Sequence, residues 1–145
     1  MNAEQQAFLE KNHSAAMITL RADGSPHAVR CGVALVDGKL WSSGIPSRVR
    51  TAHLRRDPRC TLFVFDQAYN YLSLETRVTI LDGPDAAEMN VRLFGEMQKG
   101  MQRPQGTLFW NGQPLSEEQF LQTMRDEQRL IYEFEEPSRV YGLLA

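Results

Sequence analysis

The residues of this chain best suited to chemistry lie in one run, Ser42, Ser43, Gly44, Ile45, Pro46, Ser47, Arg48, Val49, Arg50 and Thr51. From Ser47 the pattern predicts a helix over 47–58, with Val49, Ala52, His53 and Arg56 on one face, Ser47 as its cap and Pro58 at its end. A helix start presents free N–H groups and the positive end of the backbone dipole, so it favours anions. Arg48 and Arg50 bring folding no benefit there. A bound phosphate accounts for both, together with Ser47 and with Gly44, where a backbone can approach a ligand closely. Two other readings stay open. Both guanidiniums can point outward and pair with carboxylates elsewhere, each pair contributing under about 1 kcal/mol. The five arginines between positions 48 and 59 can also form a nucleic-acid patch, although no aromatics are interleaved to stack bases and the net charge is -2.

Other chemistries lack their residues. No G-x-S-x-G, H-E-x-x-H, Walker loop or G-x-G-x-x-G occurs, so hydrolase, metalloprotease, nucleotide-triphosphatase and Rossmann readings have no support. Cys31 and Cys60 have no C-x-x-C spacing, and His13, His27 and His53 form no H-x-x-x-H pair; buried thiols and no metal site are expected. The absence of an acid–base constellation suits hydride transfer, in which a cofactor carries the chemistry and the protein supplies orientation.

A chain of 145 residues is expected to form one domain, 1–145, that folds without disulfides or metal. The start, MNAEQQAFLEKN, is too polar for a signal peptide, and no apolar run approaches the roughly 18 to 20 residues of a membrane span. A soluble, cytoplasmic protein with no membrane or nucleic-acid partner is the expectation.

The elements that must position the arginine segment follow from periodicity. A short helix is predicted over 2–11 and a buried strand over 15–20. The turn at 22–26 leads into a strand on which His27, Val29, Cys31, Val33 and Leu35 share a face. Asp37 and Gly38 form a second turn before a third strand, 39–44. Residues 60–65 read as a buried strand. From Tyr69 to Leu81 the chain alternates, with Leu72, Leu74, Val78 and Ile80 on one face and Tyr69, Tyr71, Ser73, Glu75, Arg77 and Thr79 on the other. That tyrosine-bearing face suits a second subunit or a ligand as well as plain solvent. Asp85 to about Lys99 reads as a helix, and a capping box from Ser116 to Gln119 starts another running to about Glu127. Between them, 101–114 reads as a long loop, a candidate lid or dimer contact. Two strands, 129–134 and 138–143, close an α+β domain built on a β-barrel.

Four segments carry a resemblance: Gly24-Ser25-Pro26; Ser47 to Thr51 ahead of LRRDPR; Tyr69-x-Tyr71-x-x-x-Glu75; and Arg139-Val140-Tyr141-Gly142. Together, across nearly the whole chain, they resemble the pyridoxamine-phosphate-oxidase-like split-barrel superfamily. More narrowly they resemble its mycobacterial deazaflavin-dependent reductases of the B group, which use coenzyme F-420. The resemblance implies a split β-barrel of about six antiparallel strands with flanking helices, assembled as a homodimer with a cofactor in each of two grooves between subunits. It places the cofactor phosphate on Arg48, Val49, Arg50 and Thr51, with Arg50 in place of the usual lysine. It lays Ser42, Ser43 and Gly44 along the ring system and brings Tyr69 and Tyr71 in from the neighbouring subunit. Thr76 stands where a glycine is usual. The implied activity is hydride transfer from the reduced deazaflavin to a flat, electron-poor small molecule such as an enone, quinone or tetrapyrrole. No residue is implied as a catalytic acid or base; His27, Tyr69 and Tyr71 would shape the acceptor side. An FMN-dependent oxidoreductase and a non-catalytic cofactor carrier are the alternatives.

Overall fold

The structure, a computed structural model, describes residues 1–143; positions 144 and 145 of the expected domain lie outside the described residues. Helix α1 (Ala3–Lys11) is closed at its start by a capping box between Asn2 and Gln5 and buries Leu9. Strands β1 (Ser14–Leu20) and β2 (Pro26–Val36) then form a hairpin, and Asp37 and Gly38 turn the chain into β3 (Lys39–Gly44). Both turn residues have positive φ, 51° and 77°, the conformation expected of a two-residue hairpin loop. Helix α2 (Val49–Arg56) precedes β4 (Arg59–Phe65) and β5 (Tyr71–Leu81). After α3 (Ala86–Met97) come a small hairpin, β6 (Thr107–Trp110) and β7 (Gln113–Ser116), helix α4 (Glu117–Asp126), and the closing strands β8 (Leu130–Phe134) and β9 (Arg139–Gly142).

The main sheet runs β4-β1-β2-β3-β8-β5-β9, and a further β4–β5 pairing closes six of its strands into an antiparallel barrel with β9 as an extra strand. Strand β5 makes closure possible by serving two neighbours: Tyr71–Arg77 pair with β4, and Val78–Leu81 pair with β8. Closure leaves the barrel strands no free edge. The expected split barrel with flanking helices is the fold observed. Inward side chains alternate as predicted: Met17, Val33, Leu62, Val64, Leu72, Leu74 and Tyr132 fill the interior. Helix α3 covers one side, packing Leu93 against Ala34, Trp41 and Ile131. The β6–β7 hairpin and α4 add a satellite core around Leu108, Phe120 and Met124.

Three expectations need correction. Helix α2 begins at Val49, not at Ser47; its N-cap is Arg48, which makes no side-chain capping bond, and the helix ends at Arg56. The reason is local. The Ile45 carbonyl accepts the Arg48 N–H at 3.2 Å, so 45–48 form a separate turn and helical bonding starts from the Arg48 carbonyl. Tyr69 lies outside β5, because the Asp66 carboxylate accepts the N–H groups of Ala68 and Asn70 and closes a tight connection that leaves Tyr69 99% exposed. The segment 101–114 is no open loop throughout: β6 and the start of β7 lie in it, joined by Asn111 and Gly112 with φ 51° and 78°.

Candidate functional site

Strand β3 delivers the arginine segment at one end of the barrel, and α2 carries it away across the end of β1. Arg48 is exposed and, among the described residues, forms no ion pair and no side-chain hydrogen bond. Arg50 behaves differently. Its Nη2 donates to the Ser43 carbonyl at 3.3 Å, its guanidinium lies over the Tyr132 ring at 5.5 Å, and its Nε is buried with no partner. The N–H groups of Val49 and Arg50 donate to no acceptor among the described residues. Ser47 is exposed beside them. Free helix-start amides, an unpaired guanidinium and a buried donor without an acceptor are the donor set an anion requires. The ion-pair explanation for the two arginines therefore fails: neither has a carboxylate partner among the described residues.

The other arginines of the run are committed elsewhere. Arg55 pairs with Asp82 at 3.0 Å, Arg56 donates to the Leu20 carbonyl, and Arg59 grips Asp57. Hydrogen bonds from the Arg59 side chain and backbone hold the Asp57 carboxyl down at about 2. Arg59 thereby ties the end of α2 to β4, while Arg56 ties it to β1 and Arg55 to the turn after β5.

Ser42, Ser43, Gly44 and Thr51 are the floor beneath this rim. The Ser42 hydroxyl donates to the Gly32 carbonyl at 2.7 Å, and that of Ser43 donates to Asn90 Oδ1 at 2.5 Å. Thr51 is buried and donates to the Ile45 carbonyl at 2.8 Å. A Cβ on Gly44 would lie 2.2 Å from the Tyr132 hydroxyl, so the close approach at this glycine is made by a core side chain. Thr76 likewise turns inward, donating to the Glu135 carbonyl at 2.5 Å.

A second cluster sits where α2 crosses β1 and β2. His53 is buried with Nδ1 2.9 Å from the Thr19 hydroxyl, and its ring meets His27 edge-on at 5.3 Å. Arg21 Nη2 lies 3.3 Å from His27 Nδ1. Burial, followed by the charges of His27, Arg56 and Arg21, holds the His53 imidazole below the ordinary histidine range. Because the folded value is the lower one, the unfolded chain binds more protons in this interval, and stability is lost as pH falls through it. The thermal midpoint should drop between about pH 7 and pH 5.5, and His53→Gln should flatten that slope. A slope unchanged in the variant would remove His53 as its cause.

The cysteines are inert by comparison. Burial pushes the Cys60 thiol up to about 12 and that of Cys31 upward as well. Among the described residues no group of three or more potential metal ligands assembles, and no helix is long and apolar enough to cross a membrane.

The sequence profile of the pyridoxamine 5'-phosphate oxidase family matches residues 1–114. The chain belongs to the pyridoxamine 5'-phosphate oxidase family. This is a family of oxidoreductases related by flavin chemistry, and the matched residues include every member of the arginine segment. Solved structures share the fold. A conserved hypothetical protein of Mycobacterium tuberculosis is 21% identical, with a TM-score of 0.70 over 97% of this chain and 82% of that one. A structure named F-420 reductase is 19% identical, with a TM-score of 0.65 over 94% of each chain. General stress protein 26 of Bacillus anthracis is 11% identical, with a TM-score of 0.62 over 97% of this chain and 93% of that one. No curated protein matches the sequence.

In this family member the tyrosines are split. Tyr71 starts β5 on the outer face of the sheet, where its ring stacks on Phe63 at 5.0 Å and 22°; Tyr69 stands apart in the preceding turn. The strand register puts Ala16, Ile18, Phe63, Phe65, Tyr71 and Tyr141 on that same face. Sequence reasoning did not single out Phe63, although its alternation with the buried Leu62 and Val64 carried the signal, and it noted Tyr141 only within the closing Arg139–Gly142 segment. It also passed over Tyr132, which the buried run of β8 hides.

Proposed function

We propose that this chain is a reductase that binds coenzyme F-420 by its phosphate and passes a hydride to a flat, electron-poor organic acceptor. The observation that carries the reading is the pair Arg48 and Arg50 at the start of α2, without carboxylate partners among the described residues and beside N–H groups that likewise have no partner there. The cofactor, when bound, supplies the hydride. Arg48, Arg50, Ser47 and the Val49 and Arg50 amides hold its phosphate, while Ser42, Ser43, Gly44 and Thr51 shape the ground it rests on through their internal bonds. His27, Tyr69 and Tyr71 shape the acceptor side, and no side chain is needed as a general acid, since the proton can come from water.

The active form in this reading is a homodimer joined through the outer face of β1, β4, β5 and β9. Helix α3 lies over β2, β3 and β8 and α2 crosses the end of β1, while among the described residues no helix packs closely on β4, β5 or β9. A half-exposed aromatic face on a closed barrel is suited to burial against a second copy.

The family match itself favours a second reading, in which the cofactor is FMN. Fluorescence titration of the purified protein with F-420 and with FMN separates the two. Micromolar or tighter binding of F-420 with weaker binding of FMN is the expected result; the reverse preference makes FMN the cofactor. Binding of neither overturns the phosphate site. Tight binding with no reduction of an enone and quinone panel would make the chain a carrier.

A further inference from the structure

We propose that Tyr132 is a positioning residue that presets the phosphate cradle, an inference that rests on the reading of Arg48 and Arg50 as phosphate donors. Tyr132 is fully buried in β8, and its hydroxyl is hydrogen-bonded to that of Thr51. A buried tyrosine hydroxyl needs a partner, and here the direction of the bond is determined. Thr51 has one hydroxyl hydrogen, which it gives to the Ile45 carbonyl at 2.8 Å; the Tyr132 O–H must therefore donate to Thr51. The Ile45 carbonyl also accepts the Arg48 N–H at 3.2 Å. A two-bond chain thus runs from the barrel interior to the turn that presents Arg48.

The ring does as much as the hydroxyl. Arg50 lies over it at 5.5 Å, a cation–π distance, while Nη2 is held by the Ser43 carbonyl. These contacts fix the plane of the guanidinium and leave Nε as its buried spare donor. Gly44 lacks a side chain where a Cβ would lie 2.3 Å from the ring carbon bearing the hydroxyl. Gly44, Arg50 and Thr51 are thus three residues of one segment fitted around one side chain. A phenylalanine would fill the same volume in the core but would leave the turn untied. An ammonium at position 50 would lack the planar fork that lies on the ring and donates sideways.

The test compares each cofactor with its own phosphate-free chromophore, FMN with riboflavin and F-420 with its riboflavin-level fragment, by fluorescence at fixed ionic strength. Wild type is expected to prefer the phosphorylated member. Tyr132→Phe, which keeps the ring, and Thr51→Val, which cuts the chain from its other end, should each reduce that preference by about tenfold. Affinity for the phosphate-free chromophore should stay within about twofold in both, because the loss is confined to the cradle. Thr51→Ser keeps the hydroxyl and should keep the preference. If Tyr132→Phe does not fold, Thr51→Val against Thr51→Ser decides. An unchanged preference in the folded variants overturns the positioning role, as does an equal loss for both members of a pair, which would mark a structural effect only. A wild type with no preference overturns the phosphate reading itself, and this inference with it.

Discussion

Arg48→Glu should weaken binding of the phosphorylated cofactor by about a hundredfold or more, with a thermal midpoint within about 3 °C of wild type. The size follows from two losses that add. A charge-assisted bond from guanidinium to phosphate contributes about 1.5–3 kcal/mol, and the new carboxylate would sit against the phosphate's negative charge at the positive end of α2. The small effect on stability follows from the structure: Arg48 is exposed and has no partner among the described residues, so its removal leaves no buried group behind there. Arg50 is a poorer target for the same question. Its guanidinium lies on Tyr132 and reaches the Ser43 carbonyl, so a carboxylate there would disturb the core as well as the ligand. Isothermal titration with FMN and F-420 in low and high salt checks the prediction, since a lost phosphate contact also lowers salt sensitivity. Unchanged affinity for both would separate the start of α2 from the cofactor.

The barrel was legible where short-range chemistry determines it. Asp37 and Gly38 announce their turn, Ser116 and Gln119 their capping box, and the alternation from Leu72 to Ile80 its inward face. What a single pass cannot supply is closure, because the pairings of β3 with β8 and of β5 with β8 join residues far apart in the chain. The errors, by contrast, are local. Ser47 has the right side chain for a cap, but a turn held by the Ile45 carbonyl moves the helix start past it. Asn111 and Gly112 carried a hairpin signal, yet the strands they join are four residues each and too short to alternate visibly. For the site, the arginines were legible as unusual at a helix start. Their support was not: nothing near Thr51 in sequence hints that its hydroxyl accepts from Tyr132, and Gly44 reads as room for a ligand until the ring that occupies the room is seen.

Phe63→Glu should convert a dimer into a monomer, raising the dissociation constant by more than about a hundredfold. Phe63 lies on the outer face beside the cross-strand pair Phe65 and Tyr71, at 6.0 Å and 5.0 Å between ring centres, and opposite Ala16 on β1. On a lone chain a glutamate is tolerated at this half-exposed position, since the inward residues Leu62 and Val64 keep the core of β4 intact. Across a two-fold interface it is not tolerated. In the proposed dimer the same residue would be presented twice, so the substitution would bury two charges, and burial of even one unpaired charge costs several kcal/mol. Sedimentation velocity across a concentration series reads the change directly, and the thermal midpoint should lose its dependence on concentration. If the proposed dimer shares its cofactor groove between subunits, cofactor affinity should fall with the dimer, whereas Arg48→Glu should leave the dimer intact. That opposition separates the two surfaces: a Phe63→Glu protein that stays dimeric moves the interface elsewhere, and one that is monomeric yet binds cofactor as wild type does places the whole site within one chain.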